Sequence, residues 1–252
     1  MARKPTLSPT KLSTFLACPT KYYWTYVSDR GRYYLRSKSY FSFGTSLHGA
    51  LQRFFDEGDA GVRTVGEAVA ALEEGWIEAG YSSPEEAADA MGDGKKMIEA
   101  YLTEFTERPM TAKTILIEKQ LRLDLGEFAL IGRVDRVDQH DDGTLEVIDY
   151  KSGRQEVLQE DVAQDLAMGL YQLLLANAYP GHPVRATIVA LRTNAQASAA
   201  LSDEELAQLR EDLTRLATDI FQRSWDPLAP VAKDLCPTCD FLPLCRQHGL
   251  EI

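Results

Sequence analysis

The stretch GRVDRVDQHDDGTLEVIDYKSG, residues 132–153, holds two runs that are typical of β-strands. Residues 141–143 (DDG) supply a polar turn between them. Side chains two residues apart share a face of a strand, so Asp149 and Lys151 project together. If the two strands pair, Asp135 joins them, and the two acids and the lysine converge at one end of a sheet.

This combination of side chains predicts a chemistry. Two carboxylates held close together repel each other unless a cation or a proton joins them. Mg²⁺ and Mn²⁺ suit carboxylate and carbonyl oxygens, and a nearby lysine can hold an attacking water or stabilise charge on a phosphate. The pattern predicts metal-dependent phosphodiester hydrolysis, with a surface salt-bridge cluster as the alternative. Gly132 and Gly153 predict close approach of the backbone to a ligand.

Hydrophobic periodicity predicts the elements around the hairpin. A mixed sheet flanked by helices, with an N-terminal helical region, places the protein in the α/β class. We divide the chain into an N-terminal helical region (1–110), a core (111–225) and a cysteine-bearing segment (226–252). Predicted strands cover residues 113–126, 127–139, 144–151 and 184–193, and predicted helices cover 8–17, 21–26, 43–55, 65–79, 84–107, 159–178 and 202–223.

Length and composition exclude some classes of protein. The 252 residues, 44% of them hydrophobic, suffice for one large core. No run approaches the roughly 20 apolar residues that cross a membrane. The N-terminus, MARKPTLSPTKLSTF, lacks the apolar run of a signal peptide, so we expect a cytoplasmic protein.

Charge is distributed unevenly along the chain. The net charge of −11 argues against a nucleic-acid partner, yet residues 1–53 carry nine Lys or Arg and one acid. The same segment is rich in aromatic residues, which among bases suit stacking on unpaired nucleotides. The alternative is a solvated basic helix pair whose rings lie in the core. The rings belong to Tyr22, Tyr23, Trp24, Tyr26, Tyr33, Tyr34, Tyr40, Phe41 and Phe43.

Three of the four cysteines cluster in CPTCDFLPLC as Cys236, Cys239 and Cys245, a spacing typical of metal sites. In a reduced cytosol the even count does not imply disulfides. The cluster is one ligand short of four. Cys18 would give four thiolates for an iron–sulfur cluster, whereas His248 would complete a zinc site in which all ligands are local.

The two halves of the hairpin resemble the core of a known family. GRVDRVDQ followed by EVIDYKSG is similar to the PD-(D/E)XK nuclease superfamily, in its RecB-like branch. That branch includes nuclease domains of recombination helicase–nucleases and the CRISPR-associated nuclease of spacer acquisition. LSPTKLSTFLACPTKYYWTYV resembles its N-terminal cysteine helix, and FGTSLHGAL resembles its histidine helix.

The resemblance implies a restriction-endonuclease-like mixed central sheet and assigns roles to residues of the site. Asp135 and Asp149 would be metal ligands, together with the carbonyl of Tyr150 and the ring of His48. Lys151 would be the catalytic lysine. An imidazole ligand would favour Mn²⁺ over Mg²⁺.

Three further positions follow from the resemblance. Glu118 matches an acidic position on the first strand, where it would orient the site or bind water; a strand-face charge is the alternative. Tyr171 matches a tyrosine on the helix after the core that takes part in the active site. The glutamine expected four residues earlier is Ala167 here, and either Gln164 or Asp165 is the candidate to replace it.

The resemblance also favours Cys18 as the fourth ligand at the cysteines, around a structural [4Fe-4S] cluster, with zinc as the alternative. The predicted function is a Mg²⁺- or Mn²⁺-dependent deoxyribonuclease, with exonuclease action favoured. Its partner would be single-stranded or end-exposed DNA, in DNA repair, recombination or CRISPR adaptation. The alternative is a DNA-end-binding or assembly subunit of a helicase–nuclease or integrase complex.

Overall fold

The computed structural model describes residues 4–56, 61–108, 111–153 and 156–251. It contains a six-stranded mixed sheet with flanking helices, which confirms the predicted α/β class. The strands are β1 (Thr6–Leu7), β2 (Ala112–Asp124), β3 (Ala129–His140), β4 (Leu145–Lys151), β5 (Val184–Ala190) and β6 (Ala195–Ala199). The helices are α1 (Pro9–Ala17), α2 (Pro19–Tyr22), α3 (Ser39–Phe55), α4 (Val65–Glu74), α5 (Pro84–Glu107), α6 (Gln159–Gln164), α7 (Leu166–Ala178), α8 (Asp203–Gln222) and α9 (Leu242–Gln247).

The sheet has the strand order β1-β3-β4-β5-β6, and β2 also pairs with β3. The quoted hairpin is present: β3 and β4 are antiparallel, with Arg136 opposite Ile148. The pairing of β4 with β5 is parallel, and α6 and α7 lie between these strands in the chain. The sequence did not predict β6, whose residues AQASA lack the β-branched and aromatic side chains typical of strands.

Contacts divide the chain into two compact units. The smaller unit comprises Met1–Arg36, Asp124–Leu130 and Arg210–Ile252, and the larger comprises Ser37–Leu123 and Ile131–Leu209. The three segments predicted from the sequence were divided by their predicted roles and not by contacts, so that division stays a prediction.

The core of the larger unit fixes α3. Phe43, Leu47, Leu51 and Phe55 recur at helical spacing and are all buried in one cluster with α4, α5 and one face of the sheet. Burial of side chains of this size contributes roughly 1.5–3 kcal/mol each. His48 follows Leu47 directly, so the packing of the apolar face sets the orientation of its ring.

The smaller unit has its own core, which contains two of the cysteines. The predicted start of α1 at residue 8 is confirmed, since Ser8 Oγ accepts the N–H of Lys11 and Pro9 opens the helix. After α2 the chain continues as a π-helical turn, Tyr23–Val27, so the predicted helix at 21–26 is displaced. The core residues are Trp24, Cys236, Phe241, Leu244, Cys245 and Leu250.

Two other predicted helices differ from the structure. The predicted helix 159–178 is broken at Asp165, which has an extended backbone and caps α7 by accepting the N–H groups of Ala167 and Met168. Local capping by an Asp side chain therefore overrides a continuous helical pattern. The predicted helix 65–79 ends at Glu74, because Gly75 terminates it.

No described helix combines the length and the apolar character needed to cross a bilayer.

Candidate active site

The ring of His48 joins α3 to the sheet. Its Nε2 lies 3.0 Å from the carbonyl oxygen of Tyr150 at the end of β4. Its Nδ1 lies 3.4 Å from Oδ1 of Asp135 and 3.8 Å from Oε1 of Glu118. One imidazole thus contacts the two strands of the hairpin and reaches toward β2.

The backbone of β4 holds Asp135 in place. The N–H of Tyr150 donates to Asp135 Oδ2 over 2.9 Å, which leaves Oδ1 directed toward His48. The phenol of Tyr150 is buried elsewhere, where its hydroxyl accepts from Arg136 Nη1 over 2.7 Å. Tyr150 is therefore anchored on both sides, and its amide and carbonyl define one edge of the site.

Glu118 has an uncommon backbone conformation. Its φ is +46° in the middle of β2, a left-handed value that costs a residue other than glycine about 1–3 kcal/mol. The carboxylate lies beside His48, and Arg133 Nε donates to its Oε2 over 2.6 Å. Local strain in a strand thus directs an acid into the site.

Asp149 and Lys151 form an ion pair next to this group. Asp149 is 5% exposed, and its Oδ2 lies 2.7 Å from Lys151 Nζ. Burial and the neighbouring Asp135 raise the pKa of Asp149 to about 6, against the opposing effect of Lys151. Burial would lower the pKa of Lys151, but Asp149 outweighs it and raises that pKa, so the ammonium stays protonated.

The site attracts a cation. Burial alone would lower the pKa of His48, but the carboxylates of Asp135 and Glu118 outweigh it and raise that pKa to about 10. Nε2 faces a carbonyl oxygen and therefore needs a proton to donate, whereas Nδ1 faces two carboxylates and favours positive charge beside it. A second proton on the ring or a divalent ion at Nδ1 would supply that charge.

The donor set fits such an ion. Ligand atoms of His48, Glu118 and Asp135 all lie within 4.8 Å of one another. Imidazole and carboxylate oxygens suit Mn²⁺, and carboxylates with carbonyl oxygen suit Mg²⁺. Asp149 lies outside this set and pairs with Lys151, whereas Glu118, for which the sequence left two roles open, lies inside it. The individual ligand roles stay predictions.

Tyr171 lies near the same carboxylates. Burial first, and then Asp149 and Asp135, raise the pKa of its phenol. A Cβ on Gly132 would lie 2.6 Å from Leu174 Cδ1 and 3.0 Å from Tyr171 Cε1. The expectation that Gly132 makes room for a ligand is therefore wrong, because its missing side chain makes room for α7.

The structure places the two candidates for the missing glutamine in different surroundings, and the replacement itself stays a prediction. Gln164 is exposed at the end of α6, across a break from the helix of Tyr171, so the argument from a shared helical face is wrong. Asp165 contributes to the raised pKa values of Lys151 and Tyr171, so its charge acts on the site. Ala167 donates its backbone N–H to Asp165 instead of offering a side chain.

The four cysteines line one cavity in the smaller unit. The backbone N–H of Lys21 donates to Cys18 Sγ over 3.4 Å, and that of Lys233 donates to Cys236 Sγ over 3.3 Å. His248 is not among the described residues that line the cavity; its ring packs against Trp24. The geometry therefore groups Cys18, rather than His248, with the other three cysteines.

The remaining two sulfurs have raised pKa values. Burial raises the pKa of Cys239, and the backbone N–H of Phe241 acts to lower it. Burial raises the pKa of Cys245 to about 11, with the other cysteines adding to the effect. Indole Nε1 of Trp24 has no hydrogen-bond partner by distance and angle among the described residues. Four sulfurs that share a cavity, two of them accepting backbone N–H groups, fit a bound metal or cluster.

No sequence pattern predicted one buried network of polar side chains. Arg136 is buried, donates to the hydroxyls of Tyr101 and Tyr150, and pairs with Asp138 over 3.1 Å. Its guanidinium lies 4.0 Å from the ring centre of Phe55. Arg136, which follows the predicted metal ligand Asp135 in sequence, therefore stabilises the fold and holds the phenol of Tyr150 in place.

Fold and site together define a class of protein: α/β proteins whose mixed sheet carries acids and a lysine beside a histidine of a flanking helix, in an arrangement that could hold a divalent cation. The sequence comparison specifies the family. The chain belongs to the PD-(D/E)XK nuclease superfamily, whose family model matches residues 6–246. This membership confirms the predicted superfamily and supports a nuclease, while the RecB-like branch stays a prediction. A comparison with curated proteins finds no match in sequence.

Two crystal structures are similar to the fold. One is a candidate exonuclease from Eubacterium rectale, with 13% identity, a TM-score of 0.54, and coverage of 100% of this chain and 91% of that chain. The other is SSO0001, with 14% identity, a TM-score of 0.39, and coverage of 99% and 90%. At this identity, the first likeness supports the fold alone.

Proposed function

We propose that this protein is a Mg²⁺- or Mn²⁺-dependent deoxyribonuclease that hydrolyses single-stranded or end-exposed DNA, with exonuclease action favoured. The observation that carries the proposal is the convergence of His48, Glu118 and Asp135 beside the Asp149–Lys151 pair. Superfamily membership supports nuclease chemistry. The name of the Eubacterium rectale protein agrees with an exonuclease.

The residues have distinct tasks in this proposal. His48, Glu118, Asp135 and Asp149 would hold the ion, with the carbonyl of Tyr150. When bound, such an ion acts as a Lewis acid toward the phosphate and makes water a better nucleophile at neutral pH.

Lys151 provides a fixed positive charge beside this set. Its raised pKa keeps the ammonium protonated, so it can donate to a phosphate oxygen as negative charge develops there. Asp149 orients that ammonium through their ion pair. Basic and aromatic side chains of residues 11–43 would contact the DNA strand.

The test is removal of the lysine. Lys151→Ala should lower the Mn²⁺-dependent cleavage rate of a labelled single strand by at least about a hundredfold, because the charge that stabilises the transition state is lost. Lys96→Ala, at a lysine paired with Asp93 on the surface, is the matched control and should cleave normally. Full activity in Lys151→Ala would remove Lys151 from the mechanism.

The second part of the proposal is a [4Fe-4S] cluster held by Cys18, Cys236, Cys239 and Cys245, as in the RecB-like branch. Its support is the shared cavity and the N–H groups around the sulfurs. Such a cluster would stabilise the smaller unit. Thiolate ligands also need a reducing compartment, in keeping with the expected cytoplasmic location.

Anaerobic purification with iron and zinc analysis tests this part. We expect iron and the broad visible absorbance of an iron–sulfur cluster, lost in Cys18→Ser and kept in His248→Ala. Zinc in place of iron, or loss of metal in His248→Ala with retention in Cys18→Ser, would overturn the cluster and favour the zinc site.

The third part concerns partners and pathway. Several large apolar side chains of the smaller unit are exposed, a feature of surfaces that contact other proteins. We propose a helicase or integrase partner in DNA repair, recombination or CRISPR adaptation. Weak cleavage that rises sharply when the partner is added would favour the alternative of a DNA-end-binding subunit. The exposed side chains are Leu16, Tyr26, Val27, Tyr33 and Leu35.

A further inference from the structure

A groove in the larger unit contains part of the candidate metal site. Its walls include His48 and Glu118 of the cation-binding set, together with Arg133 and the adjacent rings of Tyr40 and Phe41. Its volume is about 430 Å³, within the range of ligand-binding clefts. A molecule that reaches the metal ligands along this groove passes the two rings.

The two rings are unusually accessible. Tyr40 is 63% exposed and Phe41 66% exposed, and their ring centres lie 4.4 Å apart at an angle of 46°. The other aromatic residues in the second half of the helix pack into the core or against it. Adjacent exposed aromatic rings are a feature of binding surfaces rather than of a solvated helix.

The groove between the rings and His48 is kept open by small residues. Gly44 and Gly49 face it, and a Cβ on Gly49 would meet nothing within 4 Å. A Cβ on Gly44 would meet only Ser152 Oγ, at 3.7 Å. The chain therefore provides space for a ligand backbone between the rings and the candidate metal ligands.

Positive charge at the start of α3 suits an anionic occupant. The first turn of α3 has no acidic residue and no side-chain cap, so the positive end of the helix dipole lies beside Tyr40 and Phe41. The side chain of Arg133 lies at the same groove and is 62% exposed, with its Nε paired with Glu118. Flat rings combined with positive charge suit unpaired nucleotides, whose bases stack while the phosphates approach the cations.

We propose that Tyr40 and Phe41 stack on bases of the substrate strand two or three nucleotides from the scissile phosphate. Phe41 and His48 are seven positions apart in the helix, an axial distance of about 10 Å. A stacked strand advances about 3.4 Å per nucleotide, and an extended strand advances farther. The substrate must then be unpaired at this position, which defines its class as a single strand or a frayed end. The inference rests on the proposed nuclease function.

An abasic scan tests the position. Thymidine 12-mers, each with one abasic site, are cleaved with Mn²⁺, and KM and kcat are compared across the series. For the wild type we expect KM to rise about tenfold when the missing base lies two or three nucleotides from the cut, on one side only. In Tyr40→Ala/Phe41→Ala, the KM of the complete strand should rise by a similar factor, kcat should stay within about twofold, and the abasic penalty should vanish.

Two controls isolate stacking. Tyr40→Leu/Phe41→Leu keeps apolar area without flat rings, so its KM should rise as in the alanine variant. Tyr40→Trp/Phe41→Trp keeps flat rings, so its KM should stay close to that of the wild type. Phe221→Ala removes an exposed ring from the smaller unit and should change neither parameter. An abasic penalty that persists in the alanine variant, or unchanged KM there, would overturn the stacking role.

Binding separates this inference from the nuclease proposal. Fluorescence anisotropy of a labelled thymidine 12-mer, measured in EDTA, needs no cleavage. We expect about tenfold weaker binding by Tyr40→Ala/Phe41→Ala than by wild type. If wild-type protein binds the strand and this difference appears without any Mn²⁺-dependent cleavage, the nuclease proposal fails while the binding role stands. Equal binding by both proteins overturns the binding role.

Discussion

At the scale of single residues, Glu118 shows why strand alternation alone does not predict the whole site, since only the family resemblance pointed to it. Alternation of side chains places Asp135, Asp149 and Lys151 together, and the structure brings them into one region. Alternation cannot place Glu118, because its left-handed backbone interrupts the strand pattern. The strain also predicts a conflict between stability and ion binding at this position.

In EDTA, Glu118→Asn should have a free energy of unfolding about 1 kcal/mol above that of Glu118→Gln, because both lose the contacts of the carboxylate and Asn tolerates a left-handed backbone better. Its affinity for Mn²⁺ should fall, since a carboxylate is lost. Urea denaturation and Mn²⁺ titration measure the two effects. Glu118→Gln is the control: it removes the charge and keeps the strain, so equal free energies of unfolding in both variants would contradict the role of the backbone.

A second residue-scale prediction concerns pH. Burial would raise the pKa of Glu146, but hydrogen bonds from Arg185 and Thr187, and then His140, outweigh it and lower that pKa. A carboxyl with a lowered folded-state pKa stabilises the fold above its ordinary pKa of 4.5, and this contribution is lost as pH falls through the folded-state value.

Wild-type protein should therefore lose more stability than Glu146→Gln as the pH falls below about 4.5. The free energy of unfolding is measured by urea denaturation between neutral pH and the acid range. Parallel pH profiles for the two proteins would show that Glu146 does not contribute to acid sensitivity.

At the scale of elements, the break between α6 and α7 is the main departure from the sequence prediction. A continuous apolar pattern suggested one helix, and Asp165 was considered only as a replacement for glutamine. Its carboxylate instead caps α7, the helix that carries Tyr171. Periodicity reports which side chains are buried, but it cannot tell a helical residue from a cap when both lie in one apolar pattern.

The cap can be tested separately from the charge. Asp165→Ala should lower the free energy of unfolding by about 1 kcal/mol, because the N–H groups of Ala167 and Met168 lose their acceptor. Asp165→Asn keeps an acceptor without the charge and should stay close to wild type. Urea denaturation of the three proteins measures this difference, and equal loss in both variants would assign the stabilisation to charge.

At the scale of the whole molecule, the sequence predicted the α/β class and the hairpin, but not the division into two units. Contacts assign Asp124–Leu130 to the smaller unit, although this segment includes the last residue of β2 and the first residues of β3, whose other residues belong to the larger unit. Such a boundary depends on pairing between distant residues, such as Thr6 with Ala129, that no local pattern contains.

A bound ion should stabilise the folded molecule. Mn²⁺ at about a hundred times its dissociation constant adds about 2.7 kcal/mol, and the melting temperature should rise by several degrees. Asp135→Asn should lose most of this shift, whereas Asp93→Asn, at a surface pair, should keep it. Differential scanning calorimetry with and without Mn²⁺ measures the shift, and an equal shift in both variants would place the ion elsewhere.

The cavity shared by Cys18 and the three late cysteines also bears on biosynthesis. Domains generally fold as units while the chain is synthesised from its N-terminus. A growing chain can assemble most of the larger unit while the thiol of Cys18 still lacks its neighbours, because Cys236, Cys239 and Cys245 are translated after the segments of that unit. The smaller unit can therefore complete its cavity only after the larger unit has been synthesised.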